Sequence, residues 1–260
     1  MKPDSKETLP DWPFPWPEDT IKEDWSRAAL LVVDLQNYMC NPEVALTKKL
    51  REEDPEYELY YVPRTVKVLG NTKKLLHAFR MLKKEVVYTR HGPLLPDGRD
   101  MVARRQKRDG FDEEWVASGG SSFVGRDQGR QHLFSVGTFE HQILDSVAPQ
   151  NGELTFDKNS SSLFNSTDAH QIFQNIGINT LVVVGGATDM CVTCTALDAA
   201  DRGYNVIVVE DCTVTFAEDN HVNALSLMAR CFTKVWSADQ VLAALAASTA
   251  APPSGGGAKL

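Results

Sequence analysis

The pattern of apolar and polar positions changes at residue 28. Before that point the chain is rich in proline and tryptophan, whereas residues 28–33 form an unbroken apolar run that ends at the polar Asp34. Such a run is typical of a strand that is buried on both faces. Comparable segments later in the chain predict further strands at 85–89, 153–157, 180–184, 205–209 and 234–236.

Helical periodicity separates these strands. From Val68 to Leu82 the apolar positions recur at steps of three and four residues, which places them on one face of a helix. Similar patterns, with Gly203 as a helix C-cap, predict helices at 64–84, 139–147, 167–176, 190–202 and 220–230. Strands joined by helical crossovers pair in parallel. The sequence therefore predicts an α/β fold, a three-layer Rossmann-like sandwich around a mainly parallel six-stranded sheet.

The chain divides into three regions. Prolines and the tryptophans Trp12, Trp16 and Trp25 predict an extended N-terminal arm at 1–27. Residues 28–240 form a single predicted domain, and a segment rich in Pro, Ser and Gly predicts a flexible C-terminal tail at 241–260. Within the domain, residues 91–136 have no regular period, which favours a long irregular excursion of the kind that forms active-site lids.

Composition narrows the choice of partners. The 260 residues carry 27 Lys+Arg and 35 Asp+Glu, a net charge of −8, which argues against nucleic acid as a partner and favours a small molecule. No apolar run is long enough for a membrane helix. Five cysteines, an odd number, indicate free thiols in a reducing compartment such as the cytoplasm. The final Ala258-Lys259-Leu260 would be a peroxisomal address in a eukaryotic host, or an uninformative tail.

Three reactive side chains follow predicted strands. Asp34 and Lys158 come directly after the strands at 28–33 and 153–157, and Cys191 opens the helix that follows 180–184. Because ligands bind at the carboxyl ends of parallel strands, these residues are expected to share one rim of the sheet. A helix N-terminus and a nearby ammonium both stabilise a thiolate. Together the three groups supply a nucleophile, its activator and a general base, which suits acyl transfer.

Each of these residues has a structural alternative. Asp34 could be a turn residue, Lys158 a solvated charge and Cys191 inert packing. Cys191 and Cys194 also form a Cys-x-x-Cys pair, which leaves thioredoxin-type redox chemistry as a rival. The scattered histidines show no zinc-ligand spacing, and no glycine-rich nucleotide motif follows the first strand. The sequence therefore predicts neither a metal nor an organic cofactor.

Three motifs resemble one family. The segment 30–36, the lysine at 158 and the segment 185–199, which reads GGATDMCVTCTALDA, occur in the order found in the isochorismatase-like cysteine hydrolases. The resemblance, which covers about residues 28–236, implies a six-stranded Rossmann-like sheet, a homo-oligomer (dimer or tetramer) and a catalytic triad. The triad falls on Asp34, Lys158 and Cys191. A cis peptide at Gly186-Ala187 is also implied, with the Ala187 and Cys191 backbone N–H groups facing the substrate oxygen.

The resemblance also restricts the substrate. Gly186 and Gln36 are further candidates for contact with the oxyanion or the substrate. The cysteine implies an amide or ureido substrate, and the single His91 after the second strand disfavours a nicotinamidase, whose metal site uses several histidines. The arm and the basic run 104–108 are most similar to the biuret hydrolase and ureidoacrylate amidohydrolase branch. Two departures disfavour biuret itself. Tyr38-Met39 replace the Asp-Phe that biuret hydrolases have after the first motif, and Cys231, Phe232 and Thr233 lie where those enzymes use a glutamine before the last strand. The alternative is a catalytically silent module that binds a small ligand or mediates oligomer contacts.

Overall fold

A parallel sheet forms the centre of the molecule. The computed structural model describes residues 16–44, 47–48, 51–52, 57–102, 132 and 134–250. These residues form one six-stranded sheet with the order β3-β2-β1-β4-β5-β6, and all its strand pairs are parallel. The strands are β1 Ala28–Val33, β2 Glu85–His91, β3 Leu154–Lys158, β4 Thr180–Gly186, β5 Asn205–Val214 and β6 Lys234–Trp236. The predicted fold class is confirmed.

Helices cover both faces of this sheet. The described helices are α1 Pro17–Thr20, α2 Asn37–Cys40, α3 Val62–Met81, α4 Ala169–Ile176, α5 Thr193–Asp201, α6 Glu218–Cys231 and α7 Ala238–Ala250. Successive side chains of a strand point to opposite faces, and β1 shows the consequence. Leu30 and Val32 share a core with α3 and α7. Leu31 and Val33 share a second core with α4, α5 and α6.

The prediction of a helix at 139–147 is wrong. Only a short 3₁₀ turn, Asp145–Val147, forms there. The backbone groups of this segment pair instead with the residues after β1: the Asn37 amide donates to the Gln142 carbonyl at 2.8 Å, and the Leu144 amide donates to the Leu35 carbonyl at 3.0 Å. These tertiary hydrogen bonds replace the bonds that a helix would need.

Other boundaries also differ from the sequence predictions, and β5, predicted at 205–209, runs on to Val214. The helix expected from residue 190 begins with a π-helical turn, Thr188–Val192, before α5. The prediction of a flexible tail from residue 241 is wrong for residues 241–250, which belong to α7. Val241 and Leu245 of this helix are buried in the core that contains α3. Residues 251–260, with the Ala258-Lys259-Leu260 address, lie outside the described residues.

The N-terminal segment packs onto the edge of the sheet. Residues 16–27 contain α1 and a 3₁₀ turn, Trp25–Arg27, rather than only extended chain. Trp25 stacks on Trp236 of β6 with ring centroids 6.4 Å apart. Residues 1–15, and the basic run 104–108 in the predicted lid, lie outside the described residues. In the part of the chain that is described, no helix is long and apolar enough to cross a membrane.

The sheet order creates a crevice between β1 and β4. Strand order reverses there, because β1 continues to β2 on one side while β4 continues to β5 on the other. The two central strands approach very closely at Gly185, which has a φ of +120°. A Cβ atom at this position would lie 2.0 Å from the Val33 carbonyl oxygen. Only glycine fits between the strands at this point.

Substitution at Gly185 tests this close approach. We expect Gly185→Ala to lower the free energy of unfolding by about 3 kcal/mol or more, because both the backbone angle and the contact with Val33 are unfavourable. Gly70→Ala is the matched control. Gly70 lies inside α3 and a Cβ there would meet nothing within 4 Å, so this change should add about 0.5–1 kcal/mol. Urea unfolding of both variants measures the two effects, and equal stability would contradict the interpretation.

Candidate active site

The three residues predicted from the sequence meet at the carboxyl ends of the strands. Asp34 follows β1 and has a φ of +50°, an unusual backbone angle for a residue other than glycine. Lys158 is the last residue of β3, and Cys191 lies in the turn after β4. Strand β2 lies between β1 and β3, so the long lysine side chain has to reach across its end. All three side chains are buried.

An ion pair joins Lys158 to Asp34. The lysine Nζ lies 2.8 Å from Asp34 Oδ2, and the two side chains are 0% and 1% exposed. Burial alone would raise the pKa of Asp34, but the Lys158 ammonium, the nearby His91 and two hydrogen bonds outweigh it and lower the pKa of this carboxyl. Burial likewise opposes the charge on Lys158, but Asp34 and Cys191 outweigh it and raise the pKa of the amine. Both groups are therefore charged at neutral pH.

Further contacts complete the surroundings of this pair. Thr89, near the end of β2, donates a hydrogen bond to Asp34 Oδ1 at 2.6 Å. The Lys158 ammonium donates to the carbonyl oxygens of Ser160 and Ser161, each at 3.2 Å. It also forms a hydrogen bond with Cys191. One buried ammonium thus contacts both the carboxylate and the sulfur.

Cys191 differs from the other thiols in its surroundings. All five cysteines are free. Burial raises the pKa of Cys40 to about 12, and burial also raises the pKa of Cys212 well above its ordinary value. Cys191 is 6% exposed, but it lies beside a fixed ammonium that stabilises negative charge on sulfur. Of the three buried thiols, Cys191 is therefore the one whose surroundings favour the thiolate form.

The turn before Cys191 has the backbone that the resemblance implies. The Gly186-Ala187 peptide bond is cis, although no proline is present. The Ala187 carbonyl then accepts hydrogen bonds from the Met190 and Val192 amides at 3.1 and 3.2 Å. Gly186 is closely surrounded, since a Cβ there would lie 2.6 Å from the Met39 side chain. The turn from Ala187 to Cys191 is therefore compact.

Gln36 connects the segments on which the site is built. Its Nε2 donates to the carbonyls of His91 and His141 at 3.1 and 2.8 Å, and its Oε1 accepts from the His91 amide at 2.6 Å. The side chain is 0% exposed. Its amide oxygen and nitrogen are both engaged with backbone, so we interpret Gln36 as a residue that joins β1, β2 and the segment before residue 143 rather than as a substrate contact.

Aromatic rings pack beside His91, whose charge acts on Asp34, and the sequence analysis did not single out Phe134 among them. Phe134 packs 6.3 Å from His91, measured between ring centroids, and stacks on Tyr38 at 4.4 Å.

Beyond His91, the side chain of His141 is 1% exposed. Burial, helped by Arg90 and opposed by Asp157, lowers the pKa of His141 to about 4. Among the described residues, no group of three or more His, Cys, Asp or Glu side chains is arranged to hold a metal ion.

Residues 28–240 match the family profile named Isochorismatase domain, which is most of the chain. This chain belongs to the isochorismatase family. It is similar in structure to a cysteine hydrolase from Pseudomonas syringae pv. phaseolicola 1448A, with 21% identity, a TM-score of 0.69 and coverage of 91% of this chain and 99% of that one. This match confirms, at the level of the family, the resemblance inferred from the three motifs. The family is a family of hydrolases.

Two other solved structures show the breadth of this isochorismatase-family fold. An isochorismatase family protein from Desulfovibrio vulgaris subsp. vulgaris str. Hildenborough is 20% identical, with a TM-score of 0.66 and coverage of 85% of this chain and 98% of that one. N-carbamoylsarcosine amidase from Thermoplasma acidophilum is 23% identical, with a TM-score of 0.57 and coverage of 82% and 97%. At these identities the likeness establishes the shared fold. The biuret hydrolase branch stays a prediction.

Substitution of Lys158 tests the buried pair. We expect Lys158→Met to lower the free energy of unfolding by about 3–5 kcal/mol, because it leaves the Asp34 carboxylate buried without its cation. The double variant Asp34→Asn/Lys158→Met should be more stable than Lys158→Met alone, since it removes both charges. Urea unfolding of wild type, Asp34→Asn, Lys158→Met and the double variant gives the coupling energy. A double variant that is less stable than Lys158→Met would show that the pair does not govern stability here.

The buried His141 predicts a loss of stability in acid. Its folded pKa, about 4, is below the ordinary value of 6.5, so between these two values the unfolded chain binds a proton that the folded chain does not. The contribution of His141 to the free energy of unfolding should therefore be complete above pH 6.5, fall by on the order of 1 kcal/mol per pH unit below it, and level off near pH 4. His141→Gln should reduce this slope in urea unfolding, whereas His77→Gln, at an exposed histidine, should not. Equal slopes in all three proteins would contradict the assignment.

Proposed function

We propose that this isochorismatase-family protein is a cysteine-dependent amidohydrolase. It cleaves a C–N bond of a small linear amide, in particular an N-carbamoyl or ureido compound, and releases ammonia or an amine. The observation that carries the proposal is the position of the Lys158 ammonium, which contacts Asp34 at 2.8 Å and also forms a hydrogen bond with Cys191. A nucleophile, its electrostatic activator and an acid–base group therefore share one buried cluster.

The first chemical step forms a thioester. Asp34, ionised because the pKa of its carboxyl is lowered, takes the proton of Cys191, and Lys158 stabilises the thiolate. The sulfur attacks the amide carbonyl, a C–S bond forms, and the carbonyl π electrons move to oxygen. The backbone N–H groups of Ala187 and Cys191 stabilise this oxyanion, and each such donor lowers the activation free energy by on the order of 3 kcal/mol.

The remaining steps release the products. The oxyanion collapses, the C–N bond breaks, and the protonated Asp34 gives its proton to the departing nitrogen. Asp34 is then a carboxylate again and takes a proton from water, whose oxygen attacks the thioester carbonyl. The C–S bond breaks, the acyl group leaves as an acid, and the thiolate beside Lys158 together with the protonated Asp34 is ready for the next substrate. One carboxyl group thus acts first as base, then as acid, then as base.

Several features support a carbamoyl or ureido substrate. A thiolate nucleophile suits the carbonyl of an amide. A ureido group is planar, as is the ring of Phe134, which packs beside His91 and stacks on Tyr38. The structural relative from Thermoplasma acidophilum is named for an N-carbamoyl substrate. We therefore extend the proposal to this class of substrate, and not to biuret alone.

Ammonia release tests the function directly. The protein is expected to hydrolyse compounds within a panel of biuret, N-carbamoyl amino acids, ureidoacrylate analogues, nicotinamide and simple amides, with the best kcat/KM on a carbamoyl or ureido member. Cys191→Ser and Asp34→Asn should each lower kcat by about a thousandfold or more, as for other members of catalytic triads. Cys194→Ser is the matched control and should retain activity. Near-normal turnover by Cys191→Ser would disprove the mechanism, and equal loss in Cys194→Ser would indicate the redox alternative.

Thiol labelling distinguishes the enzyme from the silent module. Iodoacetamide at neutral pH should modify Cys191 faster than the other four cysteines, because only its sulfur lies beside the ammonium. Lys158→Met should remove this selectivity. Uniformly slow labelling of all five thiols, together with no ammonia release from any compound in the panel, would favour a silent ligand-binding module.

A further inference from the structure

A series of hydrogen-bonded side chains, two buried and one half-buried, leads away from the turn that carries Cys191. Thr188, 0% exposed and next to Ala187, lies 2.9 Å from His221 Nδ1 of α6, measured from its Oγ1. The other ring nitrogen of His221, Nε2, lies 2.6 Å from Arg64 Nη2 at the start of α3. This series of contacts joins the turn before α5 to helices on both faces of the sheet. The mechanism above uses none of its three residues.

The chemistry of arginine fixes the direction of these hydrogen bonds. A guanidinium group only donates, so His221 Nε2 accepts from Arg64. The imidazole proton is then on Nδ1, which donates to the hydroxyl oxygen of Thr188. Burial and the charge of Arg64 lower the pKa of His221 to about 3, in agreement with this neutral form. A histidine with one fixed tautomer orients the threonine.

Arg64, the last residue of this hydrogen-bonded series, is anchored to the sheet. Arg64 Nε donates to the Thr213 carbonyl of β5 at 3.1 Å, and its Nη2 also donates to the Glu210 carbonyl. At the near end, the Thr188 carbonyl accepts from Thr193 Oγ1 at 2.6 Å. Thr188 is thus tied through its side chain to β5 and α6, and through its backbone to α5.

We propose that Arg64, His221 and Thr188 are positioning residues that align the backbone N–H groups of Ala187 and Cys191 with the developing oxyanion. Thr188 lies between these two donors in the chain, so a rotation of its backbone moves both. Donors must lie within about 2.7–3.1 Å of the oxyanion, and a displacement of about 1 Å can cost a hundredfold in rate. The inference rests on the proposed hydrolysis for its effect on rate, whereas the hydrogen bonds that join Thr188, His221 and Arg64 are independent of it.

Substitution of Thr188 separates this role from simple packing. Thr188→Val keeps the shape of the side chain and removes the hydroxyl, whereas Thr188→Ser keeps the hydroxyl. Thr188→Val should lower kcat by about 10–100-fold with KM changed less than about threefold, and Thr188→Ser should recover most of the rate. Thr72→Val, at another fully buried threonine, on α3 and outside this hydrogen-bond chain, controls for the loss of a buried hydroxyl. Alkylation of Cys191 by iodoacetamide should be equally fast in all variants, because the Lys158 contact is untouched.

Two further measurements make the outcome decisive. The double variant Thr188→Val/His221→Leu should lose no more activity than the worse single variant, because the residues act in series. Hydrogen exchange of the peptide 184–194 should be about tenfold faster in Thr188→Val than in Thr188→Ser, and this measurement needs no substrate. Unchanged exchange in Thr188→Val would overturn the inference even if the protein proves to be an amidohydrolase. Faster exchange with no hydrolysis in wild type would refute the proposed function and leave the alignment standing.

Discussion

The buried charge of Lys158 is the constraint on which the site depends. An ammonium removed from water costs several kcal/mol unless anionic and carbonyl oxygens surround it. Its partners come from three places in the chain: Asp34 after β1, the carbonyls of Ser160 and Ser161 after β3, and Cys191 after β4. Satisfying one charge therefore fixes the relative positions of three strand ends. The contacts that stabilise the fold here are the contacts from which the proposed chemistry is built.

Much of the fold follows from local pattern. The run 28–33 agrees with β1 because a strand buried on both faces has few polar positions to blur its ends. The prediction at 234–236 agrees with β6, which is a half-buried edge strand. The helix predicted at 139–147 does not form, since the backbone of this segment pairs with Asn37 and Leu35, about a hundred residues earlier. The tail was misjudged at Val241 and Leu245, whose burial depends on α3. Long-range contacts of this kind leave no periodicity in the sequence.

In the site, too, some residues follow from a general rule and others depend on long-range contacts. Asp34, Lys158 and Cys191 could be selected because parallel strands bring their carboxyl ends to one rim, which is a rule of topology. Thr89 could have been found from the strand register, since it pairs with Val33, the residue before Asp34. Gln36 could be selected only as a possible substrate contact and not as the brace that we interpret it to be, and the pair Arg64 and His221, 157 positions apart, could not be selected at all. Their roles depend on side-chain contacts between distant segments, and residue type alone does not reveal them.

The outer edge of the sheet at β6 has one more consequence. This strand is only three residues long, Lys234 at its start forms an ion pair with Glu23 at 2.8 Å, and Trp236 stacks on Trp25. Shortness, an inward-facing lysine and a covering segment are the devices by which natural proteins keep an edge strand from recruiting a strand of another molecule. The segment before β1 therefore acts as a guard against sheet extension. A second molecule could lengthen the sheet at β6 only by first displacing residues 16–27.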